Sequence, residues 1–257
     1  MSNLIEEKGR EWGIKTFLDE KDIDGGDSIP ESIRENIQKC DEFLLLLSRY
    51  SVNRPWVLIE LGAAWGLEKR VVTIIDKVTP AEMPEVISPY KAIDINNFDQ
   101  YIANCWVVQR SHERMNNKSK HQEPLRIFLS HASDDISNAH KLERLLSKHS
   151  NVRVFSTENL SAGEDWQSIL KDELSNCDVF FVMLSPNTIN SKWVLQELGA
   201  AWAMDKPIVV SGTNIDLLSQ IPVSISEKQF VNIEDLVKPD KLNQILAPFE
   251  KSVESSK

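Results

Sequence analysis

Cysteine and histidine are scarce in this chain, and they stand in no ligand pattern. The 257 residues include three cysteines and five histidines. Cys40, Cys105 and Cys177 lack the paired or short spacings of disulfide frameworks and zinc sites, and no His-x-x-x-His pair occurs. We therefore expect no metal site, and reduced, buried thiols of the kind usual in a cytoplasmic protein.

Long apolar runs and an excess of basic residues are also missing. No stretch is long enough to cross a bilayer, and no basic start followed by an apolar segment comes after Met1. The 39 acidic residues outnumber the 29 basic ones, for a net charge of −10. This balance disfavours general binding to nucleic acid or to an anionic membrane. We expect a cytoplasmic protein with neither as a partner.

What the chain does contain is a ten-residue segment that occurs twice. Residues 56–65 and 193–202 are identical except that Ile59 is replaced by Gln196. Equivalent residues elsewhere lie 137 or 138 positions apart, which indicates a duplicated domain. We predict a partial copy at 1–108, a polar linker at 109–124 and a complete copy at 125–257.

The repeated segment has the period of an amphipathic helix. In the second copy, Leu195, Leu198 and Trp202 form an apolar stripe, whereas Trp193 and Glu197 share the other side. A carboxylate therefore stands one turn from an indole. The ordinary alternative is a solvated charge on a helix surface. The recurrence of the same setting around Glu60 favours a more specific role.

The second copy alternates short apolar runs with segments of helical period. Strands are predicted at 125–129, 152–155, 179–184, 208–210 and 229–233. Helices are predicted at 136–148 and 166–174, from about Ser191, and over 236–249 with an interruption at Pro239. This alternation predicts an α/β, doubly wound parallel sheet with helices on both faces, whose loops after strands one to three form the ligand edge.

The first copy contains only part of this order. Strands two to five are expected at 14–18, 43–47, 71–75 and 90–95, but no apolar run precedes Trp12. The first strand and its polar turn are therefore missing. Either the chain is truncated, which we expect, or the strand is supplied in some other way. Without that central strand, the sheet would divide between strands two and three.

Three motifs in order carry a family resemblance: residues 128–133 at the end of the first strand, residues 160–166 after the second, and Trp193-x-x-x-Glu197 in the repeated helix. In this order the chain resembles Toll/interleukin-1 receptor (TIR) domains, especially bacterial ones. The resemblance implies two copies of a flavodoxin-like fold with strand order 2-1-3-4-5, the first copy incomplete. In many members of that family, NAD+ is cleaved at the nicotinamide–ribose bond.

The resemblance also implies roles for particular residues. Glu197 occupies the position of the essential catalytic glutamate. NAD+ would be a substrate, and no separate cofactor is implied. Other TIR domains would be partners, because self-association often completes the active site and is expected to activate it in a defence or signalling pathway. The product, linear, cyclic or base-exchanged ADP-ribose, is left open by the motifs.

The remaining candidate site residues lie in loops and at helix starts. Five in the first loop are expected to face the cleft: Ser130, His131, Ala132, Ser133 and Asp134. N-capping is an equally good account of Ser133 and Asp134. Gly163 is expected in a tight turn and Trp166 in packing at a helix start, and both would shape a pocket lid. Trp193 would offer an apolar surface to the ribose or a ring, or pack in the helix layer. Glu60 would be inactive alone, because its copy lacks the facing loop.

The same residues leave some alternative functions open and exclude others. A non-enzymatic TIR interaction or adaptor module is the main alternative. A phosphate-accepting receiver domain needs an Asp at the end of strand three, where this chain has Leu184, Ser185 and Pro186. A dinucleotide-binding oxidoreductase needs Gly-x-Gly-x-x-Gly after the first strand, which is absent. A nucleoside-processing transferase of related fold, also dependent on a Glu, is a further alternative.

Overall fold

The structure is a computed structural model, and it describes residues 2–11, 13–17, 29–87, 90, 92–105, 124–149, 151–157, 166–221, 229–236 and 238–255. Within them the chain forms two compact units. One is drawn from residues 1–54 and 69–122, and the other from residues 55–68 and 123–257. Residues 109–123 of the predicted linker lie outside the described part.

The helices and strands alternate along both halves. The first half contains α1 (Ser2–Glu11), α2 (Ile29–Lys39), β1 (Glu42–Ser48), α3 (Pro55–Gly66), β2 (Arg70–Asp76), β3 (Ala92–Asp94) and α4 (Phe98–Cys105). The second half contains β4 (Leu125–Ser130), α5 (Ile136–Leu146), β5 (Val152–Ser156), α6 (Trp166–Asn176), β6 (Val179–Leu184), α7 (Pro186–Asn190), α8 (Lys192–Ala203), β7 (Ile208–Gly212), β8 (Gln229–Asn232) and α9 (Pro239–Ser255).

The second unit contains a five-stranded parallel sheet in the order β5-β4-β6-β7-β8. In terms of this copy's own strands, the order is 2-1-3-4-5, so the predicted doubly wound fold is confirmed. Strand β6 is buried at every residue, as a strand covered on both faces should be. At the centre, Phe128 pairs with Phe155 and Phe180 on the neighbouring strands, with ring centroids 5.3 and 5.5 Å away.

The first unit contains a three-stranded parallel sheet in the order β1-β2-β3. These strands correspond to strands three, four and five of the other copy. The prediction of a strand at residues 14–18 is wrong for residues 14–17, which adopt no regular structure. Leu18 lies outside the described part. A second strand normally pairs with the first, and an apolar run without that neighbour has no ladder to join.

The last helix also differs from its prediction. Pro239 does not interrupt it but begins it, at a position where the missing backbone N–H has no helical partner to lose. Pro248 lies inside the helix instead. Four other predictions bear on the site and agree with the structure: the strands β4, β5 and β6, and the start of α8 after Ser191.

A lysine closes the end of a helix in the same way in both halves. Lys206 Nζ donates to the carbonyl oxygens of Ser175 and Cys177 at 2.6 and 2.8 Å. Lys69 Nζ donates to those of Gln38 and Cys40 at 2.7 and 2.8 Å. A cation there balances the negative helix end. The repeat therefore preserves a local hydrogen-bonding device as well as a sequence pattern.

The cysteines with described side chains are free thiols. Cys177 is buried, which raises the pKa of its thiol to about 12, and half-burial also raises the pKa of Cys40. Both are therefore protonated at neutral pH and unsuited to nucleophilic chemistry. No helix among the described residues has the length and apolar character needed to cross a membrane.

The central aromatic contact gives a stability prediction. Replacing the fully buried Phe128 by Ala leaves a cavity between β5 and β6, so we expect a loss of about 3–5 kcal/mol. Amide hydrogen exchange in β4 and β6 would report the loss as a lower opening free energy. Phe128→Leu is the matched control and should cost less, because it fills most of the space. Unchanged protection in Phe128→Ala would contradict the packing described.

Candidate functional site

Glu197 is carried by α8, a helix that is almost entirely buried. Ser191 forms its N-cap, with Oγ accepting from the Val194 N–H at 3.4 Å. Every residue from Val194 to Ala203 is buried. The exposed fraction of Glu197 is 4%. Glu197 is therefore not the solvated charge that a glutamate on a helix usually is.

The Glu197 carboxyl group is held by the last residue of β4, the first strand of this copy. Ser130 ends β4, and its Oγ donates to Glu197 Oε2 at 2.5 Å. Within the described part of the chain, no basic side chain pairs with this carboxylate. Burial raises the pKa of Glu197 to about 7, and the hydrogen bond from Ser130 opposes that rise. The site thus holds an acid that changes charge near neutral pH.

His131 connects the end of β4 to the end of β5. Its Nδ1 lies 2.9 Å from the carbonyl oxygen of Ala132, and because a carbonyl only accepts, Nδ1 carries the proton. Its Nε2 lies 3.2 Å from the Ser156 Oγ, which then donates to it. The imidazole is buried and engaged at both nitrogens, so it supports the loop geometry in this state. Ser156 was missed from the sequence, although it directly follows a predicted strand.

The other first-loop residues follow in a short 3₁₀ turn. Ser133 and Asp134 are exposed there, and Ala132 precedes the turn without a side-chain capping bond. Asp135, not Ser133 or Asp134, is the N-cap residue of α5, and it too makes no side-chain capping bond. The exposed pair therefore faces solvent at the carboxyl edge of the sheet, next to the buried Ser130 and His131.

Asp135 instead ties this loop to the one after β6. Its carboxylate accepts from Ser185 Oγ, and from Asn187 Nδ2 at 3.0 Å. The Ser185 Oγ also accepts the backbone N–H groups of Asn187 and Thr188, which begin α7. This network was not predicted. The sequence did contain a signal for it, namely polar residues directly after two neighbouring strands. The carboxyl ends of paired parallel strands lie at the same edge of the sheet, so such residues come together there.

The remaining predicted residues are placed as follows. Trp193 is half-buried, one turn before Glu197 on α8, and Glu60 is half-buried at the matching place on α3. Trp166 begins α6, but its side chain lies outside the description. Gly163, with the rest of residues 158–165, lies outside the described residues. The structure therefore brings together Ser130, His131 and Glu197, and it leaves the predicted lid untested.

The carboxyl group is enclosed in this structure. One surface cavity of the second unit is lined by β8 and α9 residues such as Asn232 and Lys241, and another by α5 residues such as His140 and Arg144. Glu197 lines neither of them. A ligand that touches the Glu197 carboxylate therefore requires neighbouring residues to move.

The chemistry available here is that of a carboxylate and hydroxyls. Among the described residues, no group of three or more His, Cys, Asp or Glu side chains is placed to hold a metal ion. A buried acid with a raised pKa at the carboxyl edge of a parallel sheet is a recognised mark of a functional site. Such a group can stabilise a nearby positive charge or exchange a proton.

Comparison with known proteins agrees with the fold and the repeat. No curated protein matches the chain. The family model described as TIR domain matches residues 4–105 and 127–246, which is most of the chain and both repeat copies. The second match begins within β4 and contains the other four strands of the sheet, together with Ser130 and Glu197. The chain belongs to the TIR domain family and carries two TIR-like copies in tandem.

Proposed function

We propose that the second copy is an NAD+ glycohydrolase. It would cleave the nicotinamide–ribose bond to give nicotinamide and ADP-ribose, linear or cyclic. TIR domains include NAD-cleaving members, and the observation that supports this role most here is the buried Glu197 carboxyl group held by Ser130. The chemistry needs one well-placed negative charge, and Glu197 would supply it.

The reaction begins by breaking the bond between the ribose anomeric carbon and the pyridinium nitrogen. The electron pair of that bond leaves with nicotinamide, which becomes neutral, so no general acid is required. Positive charge then spreads over the anomeric carbon and the ring oxygen. A fixed carboxylate stabilises this oxocarbenium-like state most strongly where water is excluded. Water, or the adenine base of the same molecule, then adds at the anomeric carbon and releases a proton.

Glu197 must be ionised for this role. Burial raises its pKa to about 7, so the ionised form is accessible near neutral pH. The pyridinium of bound NAD+ is a cation, and a cation nearby lowers a carboxyl pKa. Substrate binding would therefore favour the reactive form of the enzyme. Ser130 would keep one carboxylate oxygen oriented while the other faces the ribose.

The other predicted residues would bind the substrate. Ser133 and Asp134 lie at the exposed rim, and the backbone N–H groups that open α5 would face phosphate. His131 and Ala132 would hold the loop. Trp193 would offer an apolar surface one helical turn from Glu197. Gly163 and Trp166 stay assigned to a lid by sequence alone.

Glu60 would not catalyse the reaction by itself. In the described part of the first unit, the sheet contains the equivalents of β6, β7 and β8 and no equivalent of β4. The described residues of that sheet therefore include no counterpart of β4 and of its terminal Ser130. We propose a pairing or scaffold role for the first copy, with cytoplasmic assembly of TIR domains as the activating event in defence or signalling.

A non-enzymatic adaptor is the second candidate. The observation that favours it is the 4% exposure of Glu197, because an enclosed carboxylate does not meet a substrate until the site opens. TIR domains bind other TIR domains, and such binding needs no catalytic carboxylate. The two candidates differ in one measurable outcome, the release of nicotinamide.

Nicotinamide release tests the proposed role of Glu197. Purified full-length protein is incubated with NAD+, dilute and under conditions that promote assembly, and nicotinamide is measured by chromatography. We expect Glu197→Gln to lose at least about 100-fold in rate, because the amide keeps the shape and removes the charge.

Glu60→Gln is the matched control, since it makes the same change in the same local sequence, and it should retain most of the rate. Equal turnover by the wild type and Glu197→Gln would reject the catalytic assignment. No turnover by the assembled wild type would favour the adaptor.

The raised pKa of Glu197 also predicts how stability depends on pH. The folded protein keeps a proton that the unfolded chain releases above its ordinary value of 4.5. This contribution to stability is full below about pH 4.5 and is lost as pH rises through about 7. Relative to Glu197→Gln, the wild type should lose about 1 kcal/mol between pH 6 and pH 8.

Hydrogen exchange in β4 and α8, measured across this range, would give the difference. Glu234→Gln makes the same substitution at an exposed position and is the control for the substitution itself. A constant difference for Glu197→Gln would contradict the buried acid.

A further inference from the structure

Helix α3, from the first repeat, packs against α8 inside the second unit through a reciprocal contact. A Cβ atom built on Gly62 would lie 2.0 Å from the backbone oxygen of Gln196. A Cβ atom built on Gly199 would lie 2.0 Å from the backbone oxygen of Ile59. Gly62 and Gly199 are repeat equivalents, and so are Ile59 and Gln196. The same face therefore pairs with itself, as in a two-fold interface.

The contact brings two helix backbones together with no side chain between them. Only hydrogen fits at Gly62 and Gly199, since any Cβ would overlap a carbonyl oxygen of the other helix. One turn further along, a Cβ on Gly66 would lie 2.7 Å from the Cβ of Ala200. The small residues that the repeat shares, after its glutamate, are what allow this approach.

Larger side chains fix α3 at its two ends. The rings of Trp56 and Trp202 lie 6.1 Å apart at one end. At the other, Lys171 of α6 lies 3.3 Å from the Glu68 carboxylate and 6.0 Å from the ring centre of Trp65. The helix pair therefore has a defined register as well as a defined distance.

The two backbone contacts on α8 flank Glu197. Gln196 precedes it and Gly199 follows it by two residues, so α3 holds the turn of α8 that carries the carboxyl group. The hydrogen bond from Ser130 to Glu197 is 2.5 Å long. A displacement of α8 by about 1 Å would break it, because hydrogen bonds of this type end near 3 Å.

We propose that α3 is a positioning element for Glu197, and that Gly62, 135 residues earlier in the chain, is its main positioning residue. The proposal rests on the proposed function of Glu197 only for its effect on catalysis. Its geometric part does not depend on any reaction. It is that the position of α3 determines where Glu197 lies relative to Ser130. The first repeat then contributes to the site through its helix, although Glu60 carries no chemistry alone.

The experiment compares full-length wild type and Gly62→Ala by two readouts. The first is steady-state NAD+ cleavage. We expect kcat to fall about 100-fold with little change in KM, because a shift of about 1 Å misplaces the charge without removing contacts to the substrate. The second is the pH midpoint of the stability difference from Glu197→Gln in the same background. We expect it to move from about 7 by about half a unit or more.

Gly9→Ala is the matched control. It makes the same change in helix α1, where the added Cβ would lie 3.2 Å from a Thr16 methyl and no closer than 3.8 Å to a backbone atom. It should leave both readouts unchanged. Trp56→Ala is the second variant, used if Gly62→Ala does not fold; it loosens α3 by removing a ring and should shift both readouts in the same direction, by less.

The outcomes of this experiment support or overturn the proposal as follows. A folded Gly62→Ala protein with wild-type kcat and an unmoved midpoint overturns the proposal, as does a folded Trp56→Ala protein with both readouts unchanged when Gly62→Ala cannot be used. If the wild type cleaves no NAD+ and the midpoint still moves, the positioning role is supported and the enzymatic function fails. If kcat falls and the midpoint moves, both are supported.

Discussion

The hydrogen bond between Ser130 and Glu197 is the interaction on which the site depends. It joins the end of β4 to the middle of a buried helix, and the carboxyl group that it holds is itself buried. Burial alone would keep the acid protonated, and the serine hydroxyl offsets part of that effect. The shift from 4.5 to about 7 corresponds to about 3 kcal/mol of unfavourable charge burial. A fold retains such a cost most often where a charge has a task.

The repeat uses one helix sequence in two ways. In α8 the glutamate meets a strand end that bears a serine, and in α3 the equivalent strand is missing from the described part of its copy. What both helices keep is the small-residue face, with Gly62 against Gln196 and Gly199 against Ile59. The duplicated sequence is therefore explained better by self-pairing of this face than by two copies of one active site.

The closed state of the site bears on how a TIR domain of this kind would be regulated. His131, Ser156, Asp135 and Ser185 tie the loops after β4, β5 and β6 into one hydrogen-bonded edge. An edge held in this way excludes water, which strengthens electrostatic stabilisation of a cation, and it also excludes substrate. Under the proposed function, assembly with other TIR domains would open this edge if the new contact bound the open arrangement better than the closed one.

The sequence by itself determined the fold class and the two copies, because these follow from local periodicity, from residue spacing and from motifs in a fixed order, and the repeated motif drew attention to Glu197. It failed at residues 14–17, where an apolar run has no strand to pair with, and at Pro239, where the helix begins. Only the tertiary structure decided that Glu197 is buried, that Ser130 binds it, that Asp135 bridges two loops and that α3 packs on α8. These depend on contacts between residues far apart in the chain, and no local pattern encodes the distance between two helix backbones.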